Sequence, residues 1–125
     1  MAPPRMNFTH AFTAARSEGR ALLLPYAMAG LPDAPTSIEL ITAMAAAGAD
    51  GFEIGIPYAD PLMDGPVIQE AGARALAGGM TIDSGLEVIA EVTRRVGLPV
   101  ALMTYVNPVM HRGPLAFATA AAAAG

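Results

Sequence analysis

The sequence has no cysteine and no tryptophan, and all seven of its basic residues are arginine. Without cysteine the chain can form neither disulfide bonds nor thiolate metal sites. The arginines are scattered and build no basic stripe interleaved with aromatic residues, so we expect no nucleic-acid partner. The histidines, aspartates and glutamates show no metal-ligand spacing, and we therefore predict no metal site.

Long apolar runs are also absent, because proline, glycine or charge interrupts each one well before the ~20 residues that span a bilayer. Residues 1–7 lack the apolar segment of a signal peptide, and these features together predict a cytoplasmic protein with no membrane partner. Hydrophobic residues are plentiful, at 54% with a mean hydropathy of +0.45, which argues against a disordered chain. No linker divides the 125 residues, so we predict a single domain, 1–125.

Helix and strand patterns alternate along the chain. Apolar runs predict three strands, at 22–28, 50–56 and 98–105. Periodicity and end signals predict helices at 9–18, 36–48, 66–77, 81–97 and 114–124. Thr9 is the expected N-cap of the first helix, and Thr36 and Glu39 have the spacing of a capping box for the second. Strands alternating with helices indicate a parallel sheet whose faces are covered by crossover helices.

Two α/β folds fit this alternation: a doubly wound sheet and part of a (βα)8 barrel. A doubly wound nucleotide-binding sheet requires a glycine-rich first turn, and neither G-x-G-x-x-G nor a P-loop motif occurs. In a (βα)8 barrel the catalytic residues lie at the carboxyl ends of the strands. The chemically interesting side chains all lie at or after the end of a predicted strand: Tyr26, Glu53, Asp60, Asp64, Tyr105 and Asn107. This placement favours the barrel.

Glu53 stands in an otherwise apolar strand, where an ionised carboxylate is costly unless it has a role. Because strand side chains alternate, Phe52, Ile54 and Ile56 share one face, and Glu53 shares the other face with Gly55. In a barrel the bulky face meets the helices, so Glu53 points inward and Gly55 leaves room beside it. A glutamate at a sheet edge, solvated or ion-paired, fits the same pattern, and from the residues alone the two interpretations are equal.

Asp60 and Asp64 lie in the loop that follows this strand. Asp60 precedes a proline, as residues that open turns often do. Asp64 lies just before the helix predicted to begin at 66, where an N-cap is common. Spacing alone favours capping for Asp64, but a functional role is compatible with it, because the start of a helix favours negative charge.

Three large side chains, Tyr26, Met103 and Tyr105, are predicted to face inward, as Glu53 would in a barrel. Core packing is the default role for each of them. An aromatic-lined pocket for a flat apolar ligand is the alternative. The two histidines, His10 in the leading helix and His111 in a polar loop, are predicted to be surface residues.

The residues around these carboxylates resemble the tryptophan synthase alpha chain family. The string E-x-G-x-P-x-x-D-P-x-x-D-G-P, from Glu53 to Pro66, carries most of the resemblance. Further matches are Pro25-Tyr26 with Ala29-Gly30, Gly48-Ala49-Asp50, Ile68-Gln69, and Met103-Thr104-Tyr105 with Asn107-Pro108. The resemblance extends from about Phe12 to the end of the chain. It implies a TIM (βα)8 barrel, of which this chain holds the leading helix and the first three βα units.

The resemblance implies a lyase of tryptophan biosynthesis that splits indole-3-glycerol phosphate into indole and glyceraldehyde 3-phosphate by a retro-aldol step. Glu53 matches the catalytic acid/base of the family. Asp64 matches the carboxylate that accepts the indole N–H and stabilises positive charge on the ring. Tyr26, Met103 and Tyr105 match positions in the wall of the substrate pocket.

The resemblance also implies a partner. Pro57, Asp60 and Asn107 match the surface that faces a beta chain in an alpha-beta-beta-alpha assembly. Pyridoxal phosphate belongs to that beta chain, so no cofactor is implied for this one. A full barrel has roughly 250 residues and binds phosphate after strands 7–8, so we expect the 125-residue chain alone to be inactive. The alternative is a non-catalytic piece that acts only through interaction with a beta chain or with itself.

Overall fold

The computed structural model describes residues 6–125. In chain order, these residues form α1 (Phe8–Ser17), β1 (Tyr26–Met28), α2 (Ala34–Ala46), β2 (Phe52–Gly55), α3 (Pro66–Ala77), α4 (Ile82–Val96), β3 (Val100–Met103), α5 (Val106–Arg112) and α6 (Pro114–Ala124). The predicted alternation of strands and helices is confirmed. The prediction that residues 1–7 are not a signal peptide falls mostly outside the described residues.

The three strands form one parallel sheet in the order β1-β2-β3. Glu53 lies in the middle of the register, paired with Tyr26 of β1 on one side and Ala101 of β3 on the other. Two residues further along, Gly55 is paired with Met103 of β3. Because the strands are parallel, all three end at one edge of the sheet, and the loops that follow them meet there.

The core lies between one face of the sheet and the helices that cover it. Phe52 and Ile54 are fully buried and Ile56 is nearly so, as the alternation along the strand predicted. Helix α4 packs against both α2 and α6. A Cβ atom placed on Gly85 of α4 would lie 3.3 Å from Ile56, so this helix approaches the sheet closely. Burial of each such side chain contributes roughly 1.5–3 kcal/mol.

Two helices begin earlier than predicted, because a different residue caps each of them. Asn7, rather than Thr9, caps α1, and its side chain accepts the N–H of His10 at 2.9 Å. Asp33 caps α2 and accepts the N–H of Thr36 at 2.8 Å. The capping box predicted to open α2 is therefore wrong, since its threonine already lies inside the helix.

The regular strands are shorter than the apolar runs that predicted them. Ahead of β1, the carbonyl of Leu23 accepts the N–H of Asp50 at 2.9 Å, and the carbonyl of Pro25 accepts the N–H of Glu53 at 3.0 Å. The apolar run predicted as the first strand therefore pairs with β2 and the residues before it, starting three residues before β1 begins. Pro25 has no N–H to contribute to a ladder, which limits the regular strand to three residues.

The segment after β3 differs most from its predicted structure. The sequence predicted a strand to residue 105 that is closed by Asn107 and Pro108, but β3 ends at Met103 and α5 begins at Val106. Pro108 is the third residue of α5 and is buried. A proline in the first turn removes no hydrogen bond that a helix uses, so an Asn-Pro pair can open a helix as well as end a strand. Asn107 and the following His111 consequently lie on a helix.

An ion-pair cluster on α4 makes a testable contribution to acid stability. Glu91 accepts hydrogen bonds from Arg94 at 2.9 Å and from Arg95 at 2.6 Å, and these bonds lower the pKa of Glu91 from 4.5 to about 2. Because the folded pKa lies below the unfolded one, the stabilisation is complete above about pH 4.5 and is lost as the pH falls toward 2.

We therefore expect Glu91→Gln to lower the free energy of unfolding at pH 7, and this difference from the parent to vanish as the pH approaches 2. Urea unfolding across this range measures the difference, which added salt should reduce because the pairs are exposed. Glu87→Gln is the matched control, since Glu87 is exposed on the same helix and has no ion pair within residues 6–125. Equal effects of both substitutions at every pH would contradict this account.

Candidate active site

A cavity of about 560 Å³ lies at the carboxyl edge of the sheet, on the face that carries Glu53 and Gly55, opposite the buried core. The strands, the loop after β2, the start of α3 and the segment after β3 all contribute to its wall. The five residues predicted as catalytic or pocket residues all line it: Glu53, Asp64, Tyr26, Met103 and Tyr105. The structure therefore brings together side chains that are up to 79 positions apart in the sequence, from Tyr26 to Tyr105.

Glu53 lies half-buried at the centre of the sheet, on the strand that pairs with both neighbours. The edge position assumed by the alternative interpretation is therefore wrong. Its carboxylate forms no ion pair with an arginine of the described chain, where each ion pair uses another acidic residue. The carboxylate instead faces the cavity.

Gly55 allows the ring of Tyr26 to reach across from β1 onto β2. A Cβ atom on Gly55 would lie 2.1 Å from the hydroxyl oxygen of Tyr26 and 2.8 Å from its Cζ atom, and both distances are far inside van der Waals contact. The sequence predicted that Gly55 leaves empty space beside Glu53. The space exists, but the phenol of Tyr26 fills it, so the floor of the cavity is aromatic.

The hydroxyl of Tyr26 is a neutral hydrogen-bond donor at the floor of the cavity. Burial is the main cause that raises its pKa above the usual 10, and the negative charge of Asp64 adds to the effect. Tyr105 and Glu53 contribute smaller shifts in the same direction. The phenol consequently keeps its proton throughout the neutral pH range beside two carboxyl groups.

Asp64 does not cap the helix that follows it. Gly65 occupies the N-cap position of α3, which begins at Pro66, and no side chain caps this helix. The backbone N–H of Asp64 donates to the carbonyl of Pro61 at 3.1 Å, and the side chain lines the cavity. The capping interpretation is therefore wrong, and the carboxylate remains available to a ligand.

Two side chains from outside the loop hold the segment that carries Asp64. The amide nitrogen of Gln69 donates to the carbonyls of Pro61 at 3.1 Å and of Asp64 at 2.9 Å. The hydroxyl of Tyr105 accepts the N–H of Met63 at 3.0 Å. The sequence predicted no role for Gln69. The only signal was the match of Ile68-Gln69 to the family. Tyr105 was predicted as a pocket residue, but its bond to the loop was not.

Tyr58 is a second residue of this site that sequence reasoning missed. Its ring lies 5.1 Å from that of Tyr105, with a tilt of 33° between the two planes. Both rings line the cavity, so the loop after β2 and the segment after β3 share one aromatic wall. A tyrosine two residues after a predicted strand was the available signal, but nothing in the sequence indicated which ring it would contact.

The three residues predicted to face a partner do not form one group. Pro57 and Asn107 line a second cavity, of about 650 Å³, between the loop after β2 and α5. Pro57 itself is buried, whereas Asn107 is exposed. Asp60 is exposed in the loop and lines neither cavity.

The charged groups that line the first cavity are the carboxyl groups of Glu53 and Asp64. Within residues 6–125, no three histidines, aspartates or glutamates come together as metal ligands could. No helix in the same range is both long enough and apolar enough to cross a membrane. The arrangement can therefore offer acid–base groups and aromatic surfaces to a ligand.

Known proteins of one family match this chain. The model of the tryptophan synthase alpha chain family matches residues 12–125. The tryptophan synthase alpha chain of Prochlorococcus marinus (strain MIT 9313) is 45% identical over 127 residues, which cover 98% of this chain and 46% of the relative. That of Synechococcus elongatus is 46% identical and covers 91% of this chain and 43% of the relative.

Solved structures of tryptophan synthase also align with this chain. The aminoacrylate-bound tryptophan synthase of M. tuberculosis aligns with a TM-score of 0.86 and 41% identity, over 92% of this chain and 46% of that one. The alpha subunit from Legionella pneumophila strain Paris aligns with a TM-score of 0.90 and 35% identity, over 96% and 47%. The chain spans about half the length of these relatives, and its three βα units are part of a TIM barrel, as predicted. The chain belongs to the tryptophan synthase alpha chain family.

Proposed function

We propose that this chain carries the carboxyl groups of a site that splits indole-3-glycerol phosphate into indole and glyceraldehyde 3-phosphate. The observation that carries the proposal is that Glu53 and Asp64, from a strand and the loop after it, line one aromatic-walled cavity. Membership of the family supports the same reaction. In this proposal residues 1–125 form one domain, the N-terminal portion of a (βα)8 barrel.

Glu53 moves the protons of the proposed retro-aldol step. Its carboxyl proton passes to the ring carbon that carries the side chain, and the ring nitrogen becomes positively charged. The carboxylate then takes the proton of the side-chain hydroxyl nearest the ring. The carbon–carbon bond breaks, its electron pair returns to the ring, and the hydroxyl carbon becomes the aldehyde. Indole and glyceraldehyde 3-phosphate leave, and Glu53 has its proton again.

Asp64 and the cavity walls hold the ring during this step. The carboxylate of Asp64 accepts the ring N–H and stabilises the positive charge that develops there. It is free to do so because it caps no helix. The rings of Tyr26 and Tyr105 and the side chain of Met103 provide an apolar wall for a flat ligand.

The proposed partner is a beta chain, which would bring the pyridoxal phosphate, in an alpha-beta-beta-alpha assembly. The surface offered to it consists of the second cavity, lined by Pro57 and Asn107, together with the exposed Asp60. Val106, which also lines the second cavity, is 66% exposed, and Leu62 of the loop after β2 is 78% exposed. Exposed apolar groups of this kind mark interaction surfaces when they lie together.

We expect residues 1–125 on their own to release little or no indole from indole-3-glycerol phosphate. The phosphate sites of (βα)8 barrels commonly follow strands 7–8, and the described part of this chain contributes three strands. A joined barrel, in which residues 1–125 continue into the M. tuberculosis alpha chain from the end of its matched region, should release indole. Chromatography of the products measures both reactions.

A folded but inactive joined barrel would contradict the proposed lyase function. Indole release by residues 1–125 at the rate of the joined barrel would contradict the expected inactivity. The alternative, a non-catalytic piece that binds a beta chain or itself, is favoured by the open backbone edges of β1 and β3, which pair only with β2 in the described chain. Sedimentation as a monomer, with no shift on adding a beta chain, would exclude this alternative.

A further inference from the structure

One side chain ties together both ends of the turn that carries Asp64. Gln69, in the first turn and a half of α3, donates from its amide nitrogen to the carbonyl of Pro61 at 3.1 Å and to that of Asp64 at 2.9 Å. An amide nitrogen carries two hydrogens, so both bonds form at once. The backbone N–H of Gln69 donates to Gly65 at 3.0 Å, which anchors this residue in the helix.

Within the turn itself, the backbone N–H of Leu62 donates to Asp60 at 2.9 Å and that of Asp64 donates to Pro61 at 3.1 Å. The side chains of Leu62 and Met63 add little packing, since Leu62 is 78% exposed and Met63, which lines the cavity, is 88% exposed. The direction of the Asp64 side chain therefore depends on hydrogen bonds to the backbone around it. The side-chain bonds that reach this backbone from outside the turn come from Gln69 and, at Met63, from the hydroxyl of Tyr105.

We infer that Gln69 is a positioning residue, whose amide fixes the backbone of Asp64 so that the carboxylate faces the cavity. The inference rests on the proposed function, in which Asp64 accepts the N–H of the indole ring. Gln69 lines no part of the cavity and acts through Asp64. A carboxylate held in its productive direction before the ligand arrives binds the ring N–H without the cost of ordering the turn.

The test compares two ligands of the same shape on the full 125-residue chain. Indole has a ring N–H, whereas benzofuran has an oxygen in its place, so only indole can donate to Asp64. Equilibrium dialysis should show that the parent prefers indole by roughly tenfold, the effect of one hydrogen bond to a charged group. Gln69→Leu should remove most of this preference while the affinity for benzofuran stays within about twofold.

Two further variants separate positioning from general stability. Gln69→Glu keeps the length of the side chain but places a carboxylate against two carbonyl oxygens, so it should lose the preference as Gln69→Leu does. Ser84→Ala removes a comparable bond outside the cavity, since the hydroxyl of Ser84 accepts the N–H of Thr81 at 2.8 Å in the cap of α4. This control should keep the full preference for indole. If Gln69 had only a structural role, Gln69→Leu would lower the affinities for indole and benzofuran by the same factor.

Hydrogen exchange gives a second readout that needs no ligand. In the parent, the N–H groups of Met63 and Asp64 are bonded to Tyr105 and Pro61, and in Gln69→Leu both should exchange faster. An unchanged preference for indole in Gln69→Leu, or unchanged exchange, would overturn the inference and leave the proposed function standing. If the parent itself binds both ligands equally, the proposed role of Asp64 fails, and the inference fails with it.

Discussion

Replacing Glu53 with glutamine is expected to lower the rate of indole formation by the joined barrel by about 10²–10⁴-fold, the usual contribution of one acid–base group. Glutamine keeps the size of the side chain and can accept a hydrogen bond, but it cannot take up and return a proton. Because Glu53 makes no ion pair in residues 6–125, the substitution removes no such contact of the fold. The affinity for indole should therefore change little.

The matched control for this experiment is Glu70→Gln. Glu70 is an exposed residue of α3 that lines neither cavity, so the control makes the same chemical change outside the site. Product chromatography under saturating substrate gives the rate, and dialysis against indole gives the affinity. If Glu53→Gln kept a rate within a few-fold of the parent, Glu53 could not be the acid/base. If both substitutions lowered the rate equally, the loss would have no connection with the cavity.

The two faces of β2 could be predicted because they follow a local rule. Side chains alternate along any strand, so the apolar residues at 52, 54 and 56 had to share a face that excludes Glu53. The structure buries that apolar face under the helices and turns Glu53 toward the cavity. Tertiary packing determines which face of β2 contacts the helices. It does not change which residues share a face, because that follows from the alternation of side chains along the strand.

The surroundings of Asp64 could not be predicted, because they depend on contacts between distant parts of the chain. A shift of one residue at the start of α3 decides whether Asp64 or Gly65 is the N-cap. Helix boundaries predicted from sequence are less precise than one residue. The bond between Tyr105 and Met63 joins residues 42 positions apart. The phenol of Tyr26 that fills the space over Gly55 comes from a different strand. No pattern within one segment contains this information.

Replacing Phe52 with alanine should destabilise the chain by about 3–5 kcal/mol, the cost of removing a buried aromatic side chain and leaving a cavity. Phe52 has no exposed surface and lies in the cluster between β2 and the helices. Since small domains have a total stability of only about 5–15 kcal/mol, this loss is a large fraction of it. Urea unfolding followed by circular dichroism should show a midpoint far below that of the parent.

Phe12→Ala is the matched control, because Phe12 is 57% exposed on α1 and the same substitution there should change stability by about 0.5 kcal/mol or less. Equal shifts for both variants would contradict the assigned core. Phe52 lies on the opposite face of β2 from Glu53, so Phe52→Ala should weaken indole binding only by unfolding the chain. Excess indole binds the folded state and should restore part of the lost stability. If instead the remaining folded Phe52→Ala protein had lost its preference for indole over benzofuran, the two faces of β2 would not be independent.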